Sequence, residues 1–200
     1  MTHNYQRELE QIIKSNQATN AVPTLLLHSC CAPCSSYVLE LLSQYFKITV
    51  FYYNPNIYPD AEYTKRAAEQ QAFIRQMNFV NDVDFIEGEF DKDSFAKAIK
   101  GYEECPEGQE RCFICYYLRL EETARQAKKR EFDYFTTTLS ISPMKNAIKL
   151  NEIGEAIAKD SKVKWLPSDF KKKNGYKRSI ELSQEYGLYR QNYCGCVYST

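Results

Sequence analysis

The sequence predicts an α/β protein, a parallel sheet with helices on both faces, in one domain over residues 1–200. Two observations carry this. Short apolar runs of strand length (24–28, 48–53, 83–86, 134–138 and 163–166) alternate with longer stretches of helical periodicity, the pattern of βαβ units. The first run, Thr24 to His28, is apolar without alternation, as a strand covered on both faces should be. Two hundred residues suffice for one sizeable core and do not demand a second domain.

The elements follow in order. Leu9, Ile12 and Ile13 stand at helical spacing among charges, which predicts a peripheral amphipathic helix over about 4–19. After the first strand, Ser35 or Ser36 is expected to cap a helix with Tyr37, Val38, Leu41, Leu42 and Tyr45 toward the sheet. The second strand runs into Asn54-Pro55-Asn56-Ile57-Tyr58-Pro59, a strong loop signal, and Asp60 is expected to cap a helix from Ala61 to about Met77. A short strand at 83–86 sits among acidic residues. Asp91 starts a helix through Phe95, Ile99 and Tyr102, and residues 103–110 form a loop. A long helix over about 111–129 carries Cys112 and Cys115 in its first turn. Further helices are expected over 147–159 and 179–186, the last stopping at Gly187.

Composition narrows the function classes. Basic and acidic residues balance at 26 each, so no global field draws in nucleic acid, and any phosphate contact must come from a local patch. The N-terminal stretch has no apolar leader, and no run approaches the roughly 18 apolar residues of a membrane span. A cytoplasmic protein with reduced thiols is expected. Eight cysteines in a reducing compartment then call for a use other than structural disulfides.

Seven of those cysteines fall into three groups: Cys30-Cys31 with Cys34, Cys112 with Cys115, and Cys194 with Cys196. The CxxC at 112–115 sits at a helix start, where the helix N-terminus favours thiolates. Gly195 lets Cys194 and Cys196 turn inward together. Adjacent side chains point apart in an extended chain, so Cys30 and Cys31 are expected to serve two neighbouring metal centres more easily than one. A closed zinc site or a four-iron cluster takes four ligands. Six to eight thiols exceed that, which suggests a cluster with a second metal or with a spare redox pair; soft thiolates suit iron and zinc. Cys105, in a polar loop outside the groups, reads as an ordinary free cysteine. P-loop and GxGxxG motifs are absent.

Two further features bear on chemistry. His28, at a strand end, is a candidate proton donor beside the metal, against the commoner role of a satisfied core histidine. Residues 162–178 hold seven basic side chains against Asp169, interleaved with Trp165, Phe170 and Tyr176. Such a stretch is either a solvated face or a site for a phosphate backbone and an unstacked base.

Five blocks in fixed order resemble one family: HSCCAPCSS (28–36), YNPNIYPDAEYTKR (53–66), ERCFICYYLRLEETA (110–124), TTLSISPMKN (137–146) and YRQNYCGCVYS (189–199). Together they are similar to the cobalamin-independent epoxyqueuosine reductases of the QueH type, from about residue 24 to the end. The resemblance implies a Rossmann-like sheet related to the PP-loop and nucleotide-hydrolase folds. It also implies a 4Fe-4S cluster beside a second metal ion, iron or zinc. The implied reaction reduces the epoxide of epoxyqueuosine at the wobble base of a tRNA anticodon, with electrons from an external one-electron donor. By motif, Cys30, Cys31, Cys112, Cys115, Cys194 and Cys196 would bind the cluster and the adjacent metal. The expected cluster set is Cys31, Cys112, Cys115 and one of Cys194 and Cys196. Relatives can carry an aspartate where this chain has Cys34, which leaves the second metal open. Asn54, Asn56, Tyr58, Lys145, Arg190 and Asn192 would surround the base, and Lys171, Lys172, Lys173, Lys177 and Arg178 would hold phosphates. The rival readings are a zinc-bound RNA-binding module and an iron–sulfur electron-transfer scaffold.

Overall fold

A computed structural model describes residues 3–199. Its elements are α1 (Tyr5–Ala18), β1 (Thr24–Ser29), α2 (Ala32–Leu42), β2 (Lys47–Tyr52), α3 (Asp60–Gln76), β3 (Val83–Glu87), α4 (Lys92–Ala98), α5 (Glu110–Lys129), β4 (Tyr134–Thr137), α6 (Ala147–Ser161), β5 (Lys164–Trp165) and α7 (Gly175–Glu185), with a 3₁₀ turn over Thr138–Ile141. All five strands are parallel and stand in the order β3-β2-β1-β4-β5. This is the expected Rossmann-like α/β arrangement. The order reverses between β1 and β4. In open α/β sheets the loops leaving the strands part at such a point and leave a crevice for a ligand.

Alternation along β1 explains both layers. Leu25 and Leu27 pack with Leu9, Val38, Leu42 and Phe73 on one face. Leu26 packs with Leu120, Phe135, Leu150 and Trp165 on the other. The sheet is therefore sealed by α1, α2, α3 and α7 on one side and by α5 and α6 on the other. No helix among the described residues is long and apolar enough to cross a membrane.

Three element boundaries differ from expectation, each for a local reason. Helix α2 starts at Ala32, with extended Cys31 as its N-cap and a proline in its first turn, rather than after Ser35 or Ser36. The two serine hydroxyls turn inward and donate to the carbonyls of Ala32 and Pro33. Of the residues assigned to its inner face, Val38 and Leu42 are fully buried together with Leu39, while Tyr37, Leu41 and Tyr45 lie at the edge. Helix α7 begins at Gly175, four residues early, because Asn174 takes a left-handed conformation (φ 62°) that turns the chain into it. Helix α4 ends at Ala98, short of Tyr102.

Gly154 on α6 lies against the Trp165 ring, and a Cβ there would come within 2.4 Å of ring carbons. Gly154→Ala is therefore expected to destabilise the fold by ~1–3 kcal/mol, overpacking outweighing the better helix propensity of alanine. A urea-unfolding midpoint equal to or above that of the parent would contradict this.

Candidate metal and substrate site

The crevice at the β1/β4 switch point holds a cavity of about 350 Å³. Cys30 and Cys31 follow directly on β1, and Cys34 sits in the first turn of α2. The three sulfurs lie within 4.8 Å of one another, and those of Cys30 and Cys31 are 3.7 Å apart. The expectation that Cys30 and Cys31 point apart is thus corrected. Strand alternation ends where the backbone turns into α2, and all three thiols meet at that helix's N-terminus. Such a group can bind a metal.

The sulfurs compete for protons. S–H bonds from Cys31 and Cys34 hold the Cys30 thiol well below the usual range, with Arg119 assisting. Donation to Cys30 raises Cys31, and Cys34 rises as well. One thiolate therefore forms readily. A second and third need a cation beside them, because like charges cannot gather unpaired in a buried site.

The other four thiols face a smaller adjoining void. Cys112 and Cys115 stand in the first two turns of α5 at i, i+3, so they share a face. The tail carrying Cys194 and Cys196 lies across the loop after β2. Ile57 bridges to Cys196, the Tyr58 N–H donates to the Gly195 carbonyl at 2.8 Å, and Arg66 donates to the Cys194 carbonyl at 3.2 Å. Gly195 is required there: its φ is +92°, and a Cβ would meet the Arg66 guanidinium at 3.0 Å. Burial pushes the Cys115 thiol up to about 11 and the Tyr116 phenol up to about 12. The Tyr116 hydroxyl lines this void, buried and without a hydrogen-bond partner. Cys31, expected with Cys112 and Cys115, lies instead with Cys30 and Cys34, while Cys194 lines both spaces. Cys105 lines neither.

A sequence model described as epoxyqueuosine reductase QueH matches residues 25–200. The chain belongs to the epoxyqueuosine reductase QueH family. Relatives of that name share 45% identity (Streptococcus pyogenes serotype M1, 98% of this chain and 78% of the relative) and 44% (Staphylococcus epidermidis, 98% and 84%). A third, from Thermotoga maritima, shares 39% over 88% of this chain and 90% of its own.

The QueH match spans every cysteine group, yet the remaining expected residues divide. Lys145, Arg190 and Asn192 line the larger cavity. Asn54, Asn56 and Tyr58 do not, because β2 lies on the far side of β1 from the switch point. Asn54 instead donates to the Ser29 carbonyl and accepts from Arg119. Asn56 is buried with both amide atoms unpartnered, and Tyr58 is exposed under the tail. In the basic stretch, Lys171 pairs with Asp169, Lys173 with Glu10, and Arg178 with Glu40 at 2.5 Å, so three of the five expected phosphate contacts are neutralised. Lys172 and Lys177 stay exposed.

Sequence reasoning missed Tyr193, Arg66 and Arg119 of the cavity wall and gave Tyr176 only as one aromatic of the basic stretch. Tyr176 carried a faint signal as an aromatic inside the basic stretch, and Arg190 now stacks over its ring at 5.2 Å. Arg119 lies four residues past Cys115, on the same helix face. Lys145 lines both spaces. Burial pulls its ammonium down, but the Cys194 thiolate, the Tyr116 phenol and Glu107 outweigh that, so it stays charged above the ordinary lysine range.

His28 does not fit the role of proton donor. It is fully buried, lines neither space, and contacts the Thr137 hydroxyl through Nδ1 at 2.8 Å and, through Nε2, the Tyr53 carbonyl at 3.0 Å and the Arg119 Nε–H at 3.2 Å. Burial first, then the Arg119 charge, holds its pKa down to about 3 against an ordinary 6.5. Between those values the unfolded chain binds a proton that the folded chain excludes. Stability from this group is therefore complete above pH 6.5 and is lost as pH falls toward 3. His28→Gln should flatten that slope. Urea unfolding of metal-free protein at two pH values, one inside the window and one above it, reads the difference; an unchanged slope contradicts the buried neutral histidine.

Proposed function

We propose that this QueH-family chain is an epoxyqueuosine reductase, converting the epoxide of epoxyqueuosine at the tRNA wobble position to the alkene of queuosine. The observation that carries the reading is the gathering of seven thiols from three separate chain segments around two adjoining spaces, the larger of them nucleoside-sized. Net, the reaction takes up two electrons and two protons and releases the oxygen as water. An external one-electron donor supplies the electrons in two steps.

The residues present fit the implied cofactors. Cys112, Cys115, Cys194 and Cys196 offer the four thiolates of a 4Fe-4S cluster. The unpartnered Tyr116 hydroxyl gives that space a hydrogen-bond donor without a protein acceptor. The void is only about 20 Å³, so a cluster held there draws on the adjoining cavity, with which it shares Cys194, Lys145 and Arg119. Cys30, Cys31 and Cys34 offer three soft ligands and an open fourth position, which favours iron or zinc over a harder ion. When bound, the cluster would supply single electrons and the second metal a Lewis acid for the epoxide oxygen.

The chain's own residues bind and orient the base. A wobble base in a single-stranded loop can be splayed out without melting a duplex. Tyr176 offers a stacking face at the mouth, with Arg190 packed on it and Asn192 beside it. Lys145 presents a charged ammonium toward the thiols and Glu107, at 3.4 Å from the carboxylate. Lys172 and Lys177 flank the start of α7, near Tyr176, and suit the anticodon-arm phosphates.

Two experiments test this. In protein purified without oxygen, iron, zinc and sulfide are counted per chain and epoxyqueuosine-tRNA turnover is assayed. Cys115→Ser should lose sulfide and visible absorption together, whereas Cys34→Ser should keep both and lose only the additional metal. Stoichiometric zinc with no sulfide, even after reconstitution, overturns the reductase reading and favours the zinc-bound module. For the patch, Lys172→Ala with Lys177→Ala should weaken tRNA binding and flatten the slope of log affinity against log salt by about 0.7–0.9 per charge. An unchanged slope removes those two lysines from the interface.

A further inference from the structure

Arg119 is 1% exposed, and among the described residues its guanidinium pairs with no carboxylate. Its Nε donates to His28 Nε2 at 3.2 Å and one terminal nitrogen to Asn54 Oδ1 at 2.6 Å, both neutral acceptors. The remaining terminal nitrogen points at Cys115 Sγ, 3.8 Å away. Of the other buried arginines, Arg66 pairs with Glu62 at 2.7 Å, and Arg111, which borders the smaller void alone, donates to the carbonyls of Glu103, Cys105 and Tyr198. A buried guanidinium without a counter-ion is strongly unfavourable, by several kcal/mol. The groups left to balance Arg119 are sulfurs, and it lines both the cavity beside Cys30, Cys31 and Cys34 and the void beside Cys112, Cys115 and Cys196.

We propose that Arg119 is the buried counter-charge shared by both thiol sets, and that it raises the reduction potential of the iron–sulfur centre and tightens the second metal site. The proposal rests on the cofactor reading above. Adding an electron to a thiolate-bound cluster increases its negative charge, so a fixed cation beside a ligand sulfur favours the reduced state. The same cation offsets repulsion among Cys30, Cys31 and Cys34 when they ionise to receive a metal. Arg119 faces the Cys115 sulfur directly and borders both spaces, which are lined by sulfurs of three different segments, so one side chain lies beside the whole constellation. His28 and Asn54 fix the fork and leave a single donor nitrogen for sulfur. Arg119 acts here through the metal ligands, as a positioning residue.

The test compares Arg119→Gln and Arg119→Lys with the parent. Midpoint potentials are read by EPR-monitored titration of reconstituted protein. Cobalt(II) affinity of metal-free protein is read from thiolate-to-metal absorption, with Cys115→Ser as the background to isolate the Cys30 set. Arg119→Gln should move the midpoint to more negative potential and weaken cobalt binding by about 10–100-fold, the range for a residue supporting metal ligands. Arg119→Lys, which keeps the charge, should recover much of both. If Arg119→Gln takes up no iron, cobalt affinity decides alone: retention in the lysine variant with loss in the glutamine variant supports the proposal. A parental potential and parental affinity in Arg119→Gln overturn it. So does an equal loss in both variants, which would mean that shape rather than charge matters. A parent protein that holds cobalt but no iron–sulfur under any reconstitution overturns the cofactor reading and the redox half of the proposal, while the cobalt series still decides the other half.

Discussion

Like charges gathered in a dry crevice are the constraint to which the site is built. Four of the seven thiols line the cavity where β1 and β4 part and the others the void beside it, and only one of the Cys30 group ionises easily by itself. Everything around them compensates. The N-terminus of α2 points at Cys30, Cys31 and Cys34, and that of α5 carries Cys112 and Cys115, so two helix dipoles favour thiolates. Arg119 and Lys145 bring buried positive charge into the wall between the two groups. Bound metal ions would complete the balance, so metal-free and metal-loaded protein should differ in more than activity.

The sheet order decides which loops take part. In the order β3-β2-β1-β4-β5, loops after β1 and β4 border the switch point and the loop after β2 does not. The first two supply Cys30 to Cys34 and the Ser142-to-Lys145 segment, both in the cavity wall. The third serves as a support: Asn54 ties β1 to Arg119, and Ile57 and Tyr58 hold the tail.

Much of this is legible in the sequence, and the limits have physical causes. An apolar run ending at His28, a CxxC at a helix start and the α/β alternation are local patterns, and local patterns give strands, helices and thiol groups. Which thiols meet is a long-range property. Cys30 and Cys31 misled because strand alternation holds only while the backbone stays extended, and the chain bends at Cys30, directly after β1. The 53–59 loop misled because sequence proximity to a strand end says nothing of which side of β1 that strand occupies. The basic stretch misled in part because Glu10 and Glu40, remote in sequence, reach Lys173 and Arg178. His28 and Arg119 are each ambiguous alone. Burial at 0% and 1% makes them a pair in which the arginine's charge keeps the histidine neutral.

The tail shows how folding and metal binding join. Cys194 and Cys196 come last of the thiols, after all five strands, and the contacts that hold them are mostly polar. Tyr189 N–H donates to Glu69 at 2.6 Å, Tyr58 N–H to the Gly195 carbonyl at 2.8 Å, Arg66 reaches the Cys194 carbonyl and Arg111 the Tyr198 carbonyl, and a bridge joins Ile57 to Cys196. Such a segment has little apolar surface to keep it closed and belongs to the low-stability end of the fold. A metal centre ligated by both Cys112 and Cys194 would link α5 to the tail and supply the missing cohesion. The Rossmann-like core needs no such help, with β1 sealed on both faces by leucines. On the proposed cofactor reading, core and site would draw their stability from different sources, hydrophobic burial for one and charge-compensated thiolate ligation for the other. A variant can therefore lose the site while keeping the fold.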